Sequence, residues 1–182
     1  MRLSCFLTFG LVLVLLTACN AFLPAQNNPN TLSLKLEIVQ RDVKPLDDLY
    51  IQVYLANQSN SSVLVHERLH SLPFPIPPLM TEVLILISDS SGNLVDNTLF
   101  HSNYSFPSED TLTVLKPGEE IERTYHLVSV GFWERLFKKG EKYTIVVVYQ
   151  NDIDMNKMID GVEVPAWVGS IRSNEETFVI LP

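Results

Sequence analysis

Three groups of residues in this chain have types and spacings that could carry chemistry. The first is His66-Glu67-Arg68-Leu69-His70, a match to H-E-x-x-H. On a helix, two histidines four apart turn both rings to one zinc ion, and the glutamate beside the first serves as general base on the metal-bound water. The second is the acidic run Asp152, Asp154, Asn156, Asp160 and Glu163, at positions one, three, five, nine and twelve of an EF-hand-like calcium loop, with Ile159 in the apolar eighth place. The third is Cys19, one of two cysteines, preceded by Leu16-Thr17-Ala18 at the end of an apolar stretch.

Each needs a particular element beneath it. Zinc chemistry needs a helix, yet "SVLV" at 62–65 is rich in β-branched residues and Pro73, Pro75, Pro77 and Pro78 follow within a turn. In extended backbone, residues four apart are about 13 Å apart and do not converge on one ion. Arg68 would place a cation beside the metal, and the candidates for a third ligand, Glu82 and Glu109, have no motif of their own. The expectation is therefore two exposed histidines at a strand end and loop mouth, replaceable at little cost. The calcium reading lacks the glycine of position six, where Lys157 stands, and a strand precedes it while Pro165 follows. The expectation is a solvated acidic hairpin loop, with a helix-free calcium loop as the alternative. Beyond these, "PFPIPPL" reads as a stiff polyproline connector, and the Glu119-Glu120-Glu122 and Glu175-Glu176 runs as charged faces. No G-x-S-x-G elbow or glycine-rich phosphate loop occurs.

Met1-Arg2, the apolar stretch from Leu3 to Leu16 and the small residues before Cys19 form a secretion signal too short to anchor by spanning. The "LTAC" ending resembles the lipobox of bacterial lipoproteins. That resemblance implies a signal peptide over 1–18, diacylated Cys19 as the first mature residue, and attachment to a membrane of the cell envelope through the lipid. Several acyl chains hold a protein durably where one binds only reversibly. In hosts with two membranes, aspartate after the lipidated cysteine resembles an inner-membrane retention signal. Asn20 stands there instead, so the expected site is the outer membrane, or the outer face of the single membrane in other hosts.

With Cys5 in the signal and Cys19 lipidated, the mature body has no thiol for a disulfide or a thiolate metal site, and must rest on its core. At 46% apolar residues it can. The chain carries a net charge of −8; without Arg2 the part from Cys19 onward has 12 basic and 21 acidic residues, a net −9. Such a surface repels phosphate backbones, which argues against nucleic acid and leaves another envelope protein or a glycan as partner.

After a polar tether over 19–31, the dominant period is two. Leu32, Leu34, Leu36 and Ile38 alternate with polar residues, as do Leu49, Ile51, Val53 and Leu55. Further strands are expected at 62–67, 82–88, 111–115, 121–128, 142–150 and 176–181, with turns at "KPLDD", "NQSNSS", "SDSSGN", "KPGEE" and "NDIDMN". One short helical turn is expected in "FWERLFKKG", from Trp133, Leu136 and Phe137 with Gly140 as its cap. Eight short strands without helix-length repeats predict one antiparallel β-sandwich over 32–182, with long loops at 70–80 and 100–110.

"LKPGEEIERTYHL" followed by "GEKYTIVVVY" is similar to the late strands of immunoglobulin-like and fibronectin-type-III-like modules of bacterial surfaces. The resemblance implies an immunoglobulin-like sandwich in which Tyr143 is a corner tyrosine, its hydroxyl bonded to backbone upstream. "AWVGSIRSNEETFVIL" is similar to the last strand of such proteins, with Trp167, Gly169, Ser173 and Asn174 in recurring places. The opening strands loosely resemble the bacterial intracellular proteinase inhibitor family. A lipobox is foreign to an intracellular inhibitor, so inhibition is not carried over. The expected role is binding or structural, without cofactor and without catalysis. The alternatives are a zinc-dependent hydrolase through residues 66–70 and a calcium-dependent adhesion or carbohydrate-binding module through residues 152–163.

Overall fold

The computed structural model describes residues 31–44, 49–69, 82–95, 108–127, 137–152 and 154–182, and these form an all-β sandwich. In chain order the strands are β1 (Leu32–Ile38), β2 (Asp42–Val43), β3 (Tyr50–Asn57), β4 (Val63–His66), β5 (Val83–Ser88), β6 (Leu112–Leu115), β7 (Glu120–His126), β8 (Lys142–Asn151), β9 (Asn156–Ile159), β10 (Val162–Pro165), β11 (Gly169–Arg172) and β12 (Glu176–Ile180). One sheet has the order β1-β3-β7. The other is built around β8, with β5 on one side and β11 followed by β12 on the other. No helix among the described residues is long and apolar enough to cross a membrane.

The period-two pattern explains this arrangement directly. Leu32, Leu34 and Leu36 of β1 and Ile51, Val53 and Leu55 of β3 point inward and are buried, and they meet Ile85, Ile87, Ile145, Val147, Tyr149 and Phe178 of the facing sheet. Each such side chain removed from water contributes about 1.5–3 kcal/mol. A second, smaller cluster of Leu64, Leu112 and Ala166 lies under the β9–β10 hairpin, which covers it with Ile159 and Val164.

The Tyr143 hydroxyl accepts a hydrogen bond of 2.8 Å from the Lys138 N–H, the upstream backbone bond of a corner tyrosine. Its ring stacks on Phe178 and meets Phe137 edge-on. Phe137–Gly140 make a turn, with Gly140 at φ 78° and its N–H bonded to the Ile180 carbonyl. Trp133 and Leu136 of the expected helical turn lie outside the described residues.

Three elements differ from expectation. All eight expected strands are present, but "NDIDMN" is not one turn: Asn151 ends β8 and Asn156 begins β9. The reversal comes later, at Asp160-Gly161, both with positive φ (50° and 82°), the backbone that a two-residue hairpin turn demands. Second, β2 runs parallel to β12, Asp42 opposite Val179 and Val43 opposite Ile180. Only residues 39–41 separate it from β1, so the chain passes from one sheet to the other without reversing direction. Third, the last strand is two pieces. Ser173–Glu175, three residues, lie opposite Val146 and Val147, two, so that a bulge divides β11 from β12.

Candidate functional site

His66 is the last residue of β4, and its side chain is wholly buried. Its Nδ1 lies 2.7 Å from Thr111 Oγ1, and that hydroxyl donates its own hydrogen to the Ser108 carbonyl at 2.7 Å. Thr111 must therefore accept, which assigns the ring proton to Nδ1. The His66 N–H donates to the Tyr149 hydroxyl at 3.2 Å, and Tyr149 stacks on Trp167 with ring centroids 5.7 Å apart. Glu82, also buried, accepts from Arg68 Nε at 2.6 Å through Oε1, the oxygen that lies 3.8 Å from His66 Nδ1. Tyr125 donates its hydroxyl to the Leu69 carbonyl, and Leu69 itself is held at φ 44°, a left-handed backbone uncommon for its type. These bonds tie the end of β4 to β5, β7, β8 and the turn before β6.

Burial holds the His66 pKa below its ordinary value, with Arg68 acting in the same direction and Glu82 opposing. Burial likewise raises the Tyr149 and Tyr125 hydroxyls. The neutral imidazole is thus the form that the fold accommodates.

The described residues of the H-E-x-x-H match, His66 to Leu69, do not lie on a helix. His66 is in extended backbone and Glu67 and Arg68 are in the turn that follows; Glu67 is exposed while His66 is buried. His70 lies outside the described residues. Of the candidate third ligands, Glu82 joins His66 and Arg68 in the buried cluster, whereas Glu109 is exposed in a 3-10 turn. The expectation of an exposed His66 is corrected: the strand end carries it inward beside Tyr149, because β4 is packed on both faces. Among the described residues no group of three or more His, Cys, Asp or Glu side chains is arranged to hold a metal ion.

The residues of the calcium-loop match are divided by the β9–β10 hairpin. Asn156 and Glu163 bond to each other at 2.9 Å on its solvent side, Asp160 occupies the turn at its tip, and Asp152 and Asp154 precede β9. Lys157, in the place of the glycine, sends its ammonium to the Leu112 carbonyl of β6 at 2.5 Å. An antiparallel ladder thus separates the carboxylates that a loop would gather around an ion. Cys19 lies outside the described residues.

A cleft of about 660 Å³ opens next to the His66 cluster. It exists because β6 and β7 diverge from the Lys116–Glu119 turn, one pairing with β4 and the other with β3. Its walls are Glu67 and Arg68, then Thr113 to Leu115 of β6, and Glu119 to Ile121 with Arg123 on the β7 side. The half-buried Val114 and Ile121 are its accessible apolar residues, and its size is within the ordinary range of ligand sites. Arg68 is engaged by Glu82, and Glu119 by Lys116 at 3.7 Å. Glu67, Glu120 and Arg123 hold no ion pair among the described residues. Sequence reasoning took Glu119, Glu120 and Glu122 as a charged face and gave Arg123 no role. The available signal was the "EIERTYH" pattern, in which charges interrupt the apolar alternation that the other core strands keep.

No protein-family model and no curated protein matches this sequence.

Proposed function

We propose that this is a lipid-anchored protein of the bacterial cell envelope, an immunoglobulin-like sandwich held to the membrane through Cys19, whose role is to bind a partner rather than to catalyse. The observation that carries the binding role is the cleft between β6 and β7, a concavity of ligand size with apolar and charged walls. His66 and Glu82, joined to the cleft wall through Arg68, are buried and bonded to their neighbours, which suits positioning better than proton transfer to a ligand. The zinc-hydrolase reading requires a helix where β4 and its turn run, and the calcium-module reading a loop where β9 and β10 pair. The lipid anchor rests on the lipobox, and outer-membrane sorting in a two-membrane host on Asn20.

Replacing Cys19 with Ser should abolish labelling by a fatty-acid probe and leave an unprocessed precursor; labelling that persists in the variant refutes the anchor. In a two-membrane host, density-gradient fractionation should place the wild-type protein with outer-membrane markers. Recovery with the inner membrane refutes the sorting and leaves lipidation standing.

A further inference from the structure

We infer that the cleft is a strand-addition site: it receives an extended segment of a partner protein, apolar and basic residues alternating, paired along the β7 edge at Glu120, Glu122 and Thr124. The inference rests on the binding role proposed above and gives that role a ligand class.

The backbone register supplies the first reason. Asn57 N–H bonds to the Glu119 carbonyl and Leu127 N–H to the Leu49 carbonyl, so the odd-numbered residues of β7 spend their backbone groups on β3. Those of Glu120, Glu122 and Thr124 point away from β3, and no hydrogen bond occupies them among the described residues. On the opposite wall the same parity holds. Glu67 N–H bonds to the Thr111 carbonyl, which turns the N–H and carbonyl of Val114 away from β4. The carbonyl of Leu112, two residues earlier on that edge, already draws the Lys157 ammonium at 2.5 Å. An exposed row of donors and acceptors is a template for another strand, and peptide recognition by strand addition takes its affinity from such main-chain bonds.

The side chains select the occupant. Successive residues of a strand paired to β7 face opposite sides. One side meets the half-buried Ile121, which suits an apolar residue; Arg123 stands in the same row and disfavours a cation there. The other side meets the exposed carboxylates of Glu120 and Glu122, which suit lysine or arginine. The acidic edge repels its own copy, so a second molecule of this chain does not satisfy it, and at −8 the whole protein draws cationic segments toward it.

The test uses the full-length lipoprotein in detergent and a blocked octapeptide of alternating valine and lysine. Isothermal titration should show saturable binding that weakens as salt is raised. A valine–glutamate octapeptide, and the valine–lysine peptide methylated on every second amide nitrogen, should each bind about tenfold more weakly or less. Glu120→Lys with Glu122→Lys should weaken binding by a similar factor at unchanged melting temperature, since both positions are exposed. Hydrogen exchange should slow at the amides of Glu120, Glu122 and Thr124 on peptide addition. No saturable binding, equal affinity for the glutamate or methylated peptide, or protection confined to other strands overturns the inference. Because lipidation is read separately at Cys19, a chain that is lipidated but binds no peptide loses only the strand-addition site.

Discussion

The β1-β3-β7 sheet has two edges, and the protein treats them in opposite ways. At the β1 edge, Leu36 presents its N–H and carbonyl away from β3, since the ladder spends the odd-numbered residues on β3. Asn174 from the facing sheet takes both: its Oδ1 accepts from Leu36 N–H at 2.8 Å and its Nδ2 donates to the Leu36 carbonyl at 3.0 Å. One side-chain amide thus closes the edge as a neighbouring strand would. It reaches there because the bulge at Ser173–Glu175 steps the chain out of the β8 ladder, while Ser173 Oγ accepts from the Val147 N–H at 3.0 Å and keeps that buried donor bonded. At the β7 edge the equivalent groups of Glu120, Glu122 and Thr124 have no such clasp among the described residues, only charge around them. The lesson is that an edge can be retired by a side chain or guarded by charge, and only the guarded kind stays available to a partner.

The predictions probe that difference, beginning with the cluster behind the open edge. Glu82→Ala leaves Arg68 and His66 facing each other without their shared carboxylate and should lower stability by about 3 kcal/mol in urea unfolding. At the closed edge, Asn174→Ala strips both partners from Leu36; because Asn174 is itself exposed, water can replace part of the loss, and the expected cost is about 1–2 kcal/mol. Tyr143→Phe removes the acceptor of the Lys138 N–H but keeps the ring on Phe178, and should cost about 1 kcal/mol.

A pH dependence follows from His66. Its folded pKa lies below the unfolded value of about 6.5, so below that pH the unfolded chain binds the extra proton and the native one resists it. The stability held at neutral pH should fall as pH drops through this window. A His66→Gln variant should show a shallower decline from about pH 7 to about pH 5 in paired melting curves, a range that brackets the unfolded value of about 6.5. An identical decline refutes the account. Smallest of all, Glu120→Gln with Glu122→Gln at the open edge should change stability by no more than about 0.5 kcal/mol. A larger loss would mean that these carboxylates hold the fold rather than guard its edge.

Much of the frame was legible beforehand, and for a local reason. Alternation with period two states which face of a strand is apolar, and eight segments stated it clearly enough to name the strands. Where the signal was short or mixed it was misread. Asp42–Val43 are too few to show a period, and the reversal of the acidic hairpin, expected over "NDIDMN", lies at Asp160-Gly161, a dipeptide that is itself a hairpin signal.

By itself the sequence determined the strand pattern, the Gly-x-x-Tyr start at Tyr143, the lack of any cysteine after Cys19, and the Leu16–Cys19 motif on which the proposed lipid anchor rests. Local preference and covalent chemistry suffice for these, because each depends on residues adjacent in the chain. Tertiary structure alone decided that His66 is buried, that Arg68 spends itself on Glu82, that Asn174 meets Leu36 across 138 positions of chain, and that β6 and β7 part to leave a cleft. Alternation says that a residue faces inward but not whom it faces. The partner is set by which strands pair, in what register and with what bulge, and those choices are made by the packing of both sheets together.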